Sequence, residues 1–155
     1  MKNEVKDALA LLVADHEKVR SLFKQFEGLT DRAVVKKKKI ADQICEELSI
    51  HAEMEEAVFY PAVRDLIEDS DLMDEALVEH EGAKNLIAQI REMQPGDDLY
   101  DARVKVLSEQ IEHHVKEEEG EMFSKIRKHK KSIDLMALGQ EMTAFRTEFS
   151  SRHEA

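Results

Sequence analysis

The sequence is poor in the residues that interrupt or cross-link a chain. Its 155 residues include one cysteine, two prolines, five glycines and no tryptophan. The single cysteine, Cys45, excludes an intramolecular disulfide and any Cys-x-x-Cys redox or zinc motif. Because proline and glycine are scarce while glutamate, lysine, leucine, alanine and methionine are abundant, the composition favours helix over sheet. We therefore expect an all-α protein.

The chain also lacks an excess of basic residues and any long apolar run. Its 34 acidic residues outnumber 23 basic ones, which gives a formal net charge of −11. Since phosphate backbones select basic surfaces, this balance argues against a nucleic-acid partner. The apolar run at 8–14 is too short to span a membrane and makes a poor signal-peptide core. We expect a cytoplasmic protein with no membrane partner.

Apolar residues recur at helical spacing in four long segments and one shorter segment. The predicted helices cover about 4–27, 33–60, from Ser70 or Asp71 to the turn at 94–98, about 99–128, and about 132–150. Pro61 either ends or kinks the second helix, because it has no amide donor. Short connections between long helices predict an up-down-up-down antiparallel four-helix bundle with a short extra C-terminal helix.

We expect residues 1–155 to form a single domain, with the bundle over about 4–128, because no linker divides the chain. The C-terminal helix could cover the end of the bundle or mediate a homodimer, and the sequence leaves both open.

Polar residues interrupt the apolar stripes near the middle of the bundle. Each of the four long helices carries one histidine in its stripe, and the second and fourth carry a glutamate one turn later. These residues are His16, His51, Glu55, His80, His114 and Glu118. Because the midpoints of antiparallel helices lie at about one level, we expect the six side chains to meet in one layer. The remaining histidines, His113, His129 and His153, fall outside this set.

Such a layer calls for a compensating positive charge. Two unpaired carboxylates among apolar side chains would each be costly to bury, or would become protonated. The only inward cationic candidate is Lys84, one turn from His80. Metal ions compensate better, because imidazole and carboxylate are both good ligands for first-row divalent metals.

The spacing His-x-x-x-Glu places both side chains on one helical face, about one turn apart, so that the carboxylate can reach a second metal. We predict one metal on His16 and His51, a second on His80 and His114, and bridges from Glu55 and Glu118.

Two other metal motifs are absent. Ferritin-like di-iron bundles use Glu-x-x-His, and no histidine here has glutamate three residues before it. Zinc proteases use His-Glu-x-x-His, but His16-Glu17 and His80-Glu81 are followed by Arg20 and Lys84. His113 and Glu117 repeat the His-x-x-x-Glu spacing one position off the apolar stripe, which we interpret as accidental.

The pattern resembles the hemerythrin-like (HHE cation-binding) family. The matching stretches, in the family's order, are Asp15-His16-Glu17, His51-Ala-Glu-Met-Glu55-Glu56 with Val58-Phe59-Tyr60-Pro61, Glu79-His80-Glu81, and His114-Val-Lys-Glu-Glu118-Glu119. The resemblance implies a non-haem di-iron centre: two iron ions bridged by two carboxylates and an oxo or hydroxo group. Oxygen-carrying hemerythrins have a second histidine where this chain has Lys84. The remaining ligand set is more similar to the bacterial hemerythrin-like proteins.

Two histidines, two bridging carboxylates and a solvent bridge would leave one position open on each iron. The leading hypothesis is therefore a protein that binds or reacts with O2, NO or peroxide as carrier, sensor or detoxifier. One alternative is an oxidoreductase that decomposes peroxide or NO. Another is storage of iron or its donation to other iron centres. No nucleophile–base pair is evident, and whether the protein is an enzyme stays open.

Overall fold

The computed structural model describes residues 6–154 and the side chains of 6–152. The elements are α1 (Ala8–Glu27), α2 (Val34–Met54), a π turn (Glu55–Phe59), α3 (Tyr60–Ile67), α4 (Ser70–Glu92), α5 (Tyr100–Glu117), a second π turn (Glu118–Met122), α6 (Phe123–Lys128), a short 3-10 turn (Lys130–Ser132) and α7 (Leu135–Glu154). Residues 4 and 5, at the predicted start of the first helix, lie outside the described part.

These elements form the predicted antiparallel four-helix bundle. Its helices are α1, α2 continued by α3, α4, and α5 continued by α6, with α1 beside α2 and α4 beside α5. The fold class is confirmed. The C-terminal helix α7 begins and ends a few residues later than predicted, and it packs on α1 and α2 rather than extending the bundle.

The second bundle helix continues past Pro61 to Ile67, beyond the predicted end near residue 60. It does so because the π turn precedes the proline: the Tyr60 amide donates to the Glu55 carbonyl, five residues back. Pro61 then lies in the first turn of α3, directly after the π turn. A missing backbone N–H is tolerated at that position. The corresponding turn in the fourth bundle helix joins the Phe123 amide to the Glu118 carbonyl.

The N-cap of α4 is Asp69, not the predicted Ser70 or Asp71. Its carboxylate accepts a hydrogen bond from the Leu72 amide at 3.1 Å, as Asp7 does for the Ala10 amide at the start of α1. Both caps fix where a bundle helix starts and therefore the height of the histidine it carries.

The buried side chains form two apolar clusters separated along the bundle axis. One cluster includes Leu9, Leu12, Met54, Phe59, Phe123 and Ile126. The other includes Val19, Phe23, Ile44, Leu48, Ile87 and Leu107. A layer of buried histidine and glutamate side chains lies between them, as His16 shows by its position between Leu12 and Val19 on α1. No helix within residues 6–154 combines the length and apolarity that a membrane crossing requires.

Candidate metal centre

All six residues predicted as metal ligands lie in this buried layer. Glu55 is 0% and Glu118 1% exposed, and the four histidines are 4–7% exposed. Their donor atoms fall into two groups, each compact enough for one metal ion: His16, His51 and Glu118 form the first subsite, and Glu55, His80 and His114 form the second. The histidines pair as predicted, although whether the six residues bind metal stays a prediction.

Two glutamates connect the subsites. Glu118 directs Oε1 to His16 Nε2 at 3.3 Å and Oε2 to His114 Nε2 at 3.1 Å. Glu55 Oε1 lies 3.3 Å from His51 Nε2 and 3.1 Å from His80 Nε2. Each carboxylate therefore contacts a histidine of both subsites, which is the geometry that a bridging ligand requires.

The expectation that the carboxylates would lie unpaired without metal is wrong, because the imidazoles face them directly. Burial lowers the pKa of His51, but the charge of Glu55 and hydrogen bonds to Asp15 and Glu55 raise it by more, to about 10. The pKa of His114 is likewise held well above its usual range, since hydrogen bonds to Glu118 and other carboxylates outweigh burial. Burial raises the pKa of Glu55, yet the histidine charges and hydrogen bonds lower it well below its usual range.

Each histidine also has an outer carboxylate at its other ring nitrogen, Nδ1. The Nδ1 to oxygen distances are 2.6 Å for His16 with Glu119, 2.8 Å for His51 with Asp15, 2.9 Å for His80 with Glu56, and 2.7 Å for His114 with Glu79. Such partners fix the ring orientation and leave Nε2 facing the centre, as is usual for metal-binding histidines.

The roles of these four outer carboxylates were missed from the sequence. Each is adjacent in sequence to a predicted ligand on its own helix and contacts the histidine of a different helix. Asp15 and Glu79 come just before histidines, and Glu56 and Glu119 come just after glutamates. The sequence therefore contains these carboxylates next to the predicted ligands. It does not show how the helices are rotated against one another, which determines the histidine that each carboxylate contacts.

Tyr60 is a further residue of the site that the sequence did not reveal. Its hydroxyl donates to Glu118 Oε2 at 2.7 Å and lies 3.4 Å from His80 Nε2 and 3.5 Å from His114 Nε2. The phenol therefore faces the second subsite. At the corresponding position after the second π turn the chain has Phe123, which has no hydroxyl. The two subsites are consequently unequal.

Lys84 and His113 lie outside the centre. Lys84 is 41% exposed and pairs with Glu56 at 2.9 Å, so it contacts an outer carboxylate and not a bridging one. His113 is 67% exposed and lies 3.2 Å from Glu117, with Glu79 completing a surface group. The accidental match therefore lies on the surface, and it joins the buried layer only through Glu79, whose other oxygen contacts His114 Nδ1.

A small cavity lies beside the four histidines. Its volume is about 30 Å³, and its apolar walls include Val19, Leu48, Ala83, Ile87 and Ile111. Since about 10–15 Å³ on this measure holds one water molecule, the cavity has room for a diatomic molecule or peroxide but not for a large organic substrate.

Comparison with known proteins agrees with this geometry. Residues 7–126 match the sequence model of the family described as Hemerythrin HHE cation binding domain. A hemerythrin HHE cation binding domain-containing protein from Mycobacterium kansasii has a similar crystal structure, with a TM-score of 0.78 and 20% identity over 95% of this chain and 89% of that chain.

A second relative, described as a DNA nickase of Nostoc sp. (strain PCC 7120), is 31% identical over 138 residues. The match covers 89% of this chain but only 38% of the nickase. Because the family match spans most of the bundle and includes all six buried donors, the chain belongs to the hemerythrin HHE cation-binding domain family.

Proposed function

We propose that this protein holds two iron ions between its four inward histidines and two glutamates and that it binds or reacts with O2, NO or peroxide. The observation that carries the proposal is the pair of buried three-donor groups joined by Glu118, whose two oxygens face different subsites. Imidazole and carboxylate donors with no thiolate suit iron.

The buried polar atoms of the layer favour metal binding by these side chains over a purely structural role for them. Among the described residues, four buried atoms of the layer lack a hydrogen bond of good geometry: His16 Nε2, His51 Nε2, Glu55 Oε2 and Glu118 Oε1. His16 Nε2 and Glu118 Oε1 face each other at 3.3 Å, as do His51 Nε2 and Glu55 Oε1, so both pairs are in ionic contact only. Buried polar atoms are rarely left unsatisfied, and all four belong to the predicted ligands. A bound iron pair would supply open coordination positions and a reversible one-electron change at each ion.

The apolar cavity supports a small uncharged or weakly polar ligand. Its walls beside the histidines are mostly apolar, and its size admits O2, NO or peroxide. A carrier, sensor or detoxifier fits this arrangement. A peroxide- or NO-decomposing oxidoreductase is the second candidate, and the buried Tyr60 hydroxyl at the second subsite favours it, because a phenol can donate a hydrogen bond to a ligand there.

Iron donation to other proteins is less well supported, because the donors are buried on all four helices. DNA cleavage, named for the relative from Nostoc, is not part of the proposal, since the net charge of −11 disfavours a phosphate backbone.

The test begins with metal content. Metal-free protein is loaded anaerobically with Fe²⁺ and analysed for iron and for magnetic coupling, and we expect about two coupled irons per chain. Purification that consistently yields one zinc ion, or a single uncoupled iron, would overturn the di-iron proposal.

Rapid mixing of the reduced protein with O2, NO and hydrogen peroxide then separates the roles. A reversible spectral change indicates a carrier or sensor, turnover of peroxide or NO indicates an enzyme, and loss of iron indicates a donor. Equal inertness towards all three molecules would overturn the small-molecule role.

A further inference from the structure

The C-terminal helix α7 is held firmly against the side of the bundle. Leu138 and Met142 are buried in the same apolar cluster as Leu9 and Leu12 of α1. Gly139 allows the close approach, since a Cβ there would lie 3.0 Å from the Lys6 carbonyl oxygen. The family match ends at residue 126, before this helix begins.

One side chain of α7, that of Arg146, reaches one of the four outer carboxylates. The Arg146 guanidinium donates a hydrogen bond to Asp15 Oδ2, and its other terminal nitrogen lies 3.9 Å from Glu47 Oε2. The same Asp15 oxygen lies 2.8 Å from His51 Nδ1. A continuous chain of contacts therefore runs from α7 through Arg146 and Asp15 to His51, whose Nε2 faces the first subsite.

The four outer carboxylates differ in this respect. Asp15, at 14% side-chain exposure, is the most buried, while Glu56, Glu79 and Glu119 range from 24% to 30%. Glu56 pairs with Lys84, which is half exposed and belongs to the bundle itself. Arg146 thus acts on the least solvated of the four, where a charge is screened least.

We propose that Arg146 is a positioning residue that tunes the first metal subsite from outside the bundle, by sharing the Asp15 carboxylate with His51. The inference rests on the proposed function. When the guanidinium shares the charge of Asp15, the carboxylate accepts less strongly from His51, and the imidazole is a weaker electron donor at Nε2. The nearby positive charge acts in the same direction, and both effects favour the ferrous over the ferric state.

The experiment is a redox titration of the full-length, iron-loaded protein and of three variants. Arg146→Gln removes the positive charge, and Arg146→Lys keeps the charge but lacks the planar guanidinium group. Arg152→Gln is the matched control on the same helix. Arg152 is a suitable control because it is exposed and pairs with Glu148 within α7.

We expect Arg146→Gln to lower the ferrous-to-ferric ratio at a fixed potential roughly three- to tenfold. At 59 mV per tenfold for one electron this is a fall of ~30–60 mV in midpoint potential. Arg146→Lys should lie between the native protein and Arg146→Gln, and Arg152→Gln should match the native protein. Circular dichroism reports whether α7 stays folded in each variant.

A second comparison tests the route through Asp15. In an Asp15→Asn background the further change Arg146→Gln should shift the potential by less than half as much, because the shared carboxylate is gone. An equal shift in both backgrounds, or the same potential for Arg146→Gln and Arg152→Gln, overturns the inference.

If Arg146→Gln does not load iron, the midpoint potential of Arg146→Lys is used instead. A potential of Arg146→Lys equal to that of the native protein then overturns the inference. A native protein that does not take up two irons refutes the proposed function instead, and the metal analysis separates that result from the others.

Discussion

Metal uptake should release protons from His51 and His114 near neutral pH, because the carboxylates around both rings raise their pKa values in the metal-free protein. His51 has a carboxylate at each ring nitrogen, Asp15 at 2.8 Å and Glu55 at 3.3 Å. His114 lies in the same way between Glu79 at 2.7 Å and Glu118 at 3.1 Å. Both pKa values are raised, that of His51 to about 10. A metal at Nε2 must displace the proton on each ring.

Calorimetric titration of Fe²⁺ into metal-free protein, in buffers of different ionisation enthalpy at one pH, measures the number of released protons directly. With one proton displaced at each subsite, the apparent affinity for each iron should rise roughly tenfold per pH unit below the raised pKa values, and the overall constant for both irons roughly 100-fold. His51→Ala should release about one proton fewer, while His129→Ala, a surface change, should release as many as the native chain. Release of no protons at pH 7–8 would refute the imidazolium assignment.

The same shift predicts the pH dependence of stability without metal. The carboxylates around His51 raise its pKa in the folded state to about 10, above the ordinary histidine value of 6.5. Its contribution to stability is therefore complete below about pH 6.5 and is lost as pH rises towards 10. Chelator-treated protein should melt at a lower temperature at pH 9 than at pH 6.5.

Two substitution series extend these tests. Replacing His16, His51, His80 or His114 with alanine should lower the iron content sharply. The control His113→Ala should leave it nearly intact, because His113 lies on the surface. An equal loss of iron in His113→Ala would contradict the assignment of the buried histidines as ligands. Metal-free Glu55→Gln should lose about 3 kcal/mol of unfolding free energy in denaturant, because a buried carboxylate paired with two imidazoles is removed. The control Glu53→Gln should change it little, because that carboxylate is half exposed and lies 3.6 Å from the half-exposed Lys84. A more stable Glu55→Gln protein would mean that the pairing contributes nothing.

Local pattern was sufficient to predict the bundle and the six inward residues. Helical periodicity assigns residues to a face, and four antiparallel helices of similar length bring their midpoints to one level. His16 between Leu12 and Val19 is placed by that argument alone. The ends of the helices were less predictable, since Asp69, Ser70 and Asp71 are all good caps and the structure uses the first.

Features that depend on contacts distant in sequence could not be predicted. Arg146 and Asp15 are 131 residues apart, so their contact follows from the docking of α7 and not from any local pattern. The π turns are a similar case. A proline at position 61 is compatible with an end, a kink or a wide turn, and only the wide turn directs Tyr60 into the centre.

The difference between Tyr60 and Phe123 is the clearest asymmetry of an otherwise matched pair of subsites. The Tyr60 hydroxyl donates to a buried carboxylate, a bond worth about 1.5–3 kcal/mol when the acceptor is charged. Metal-free Tyr60→Phe should therefore lose about that much unfolding free energy. The control Tyr100→Phe should lose little, because the buried Tyr100 hydroxyl has no hydrogen-bond partner among the described residues.

In the iron-loaded protein, Tyr60→Phe should also make the Mössbauer signals of the two irons more alike. Two signals that stay as distinct as in the native protein would assign the asymmetry to the outer carboxylates and not to the phenol.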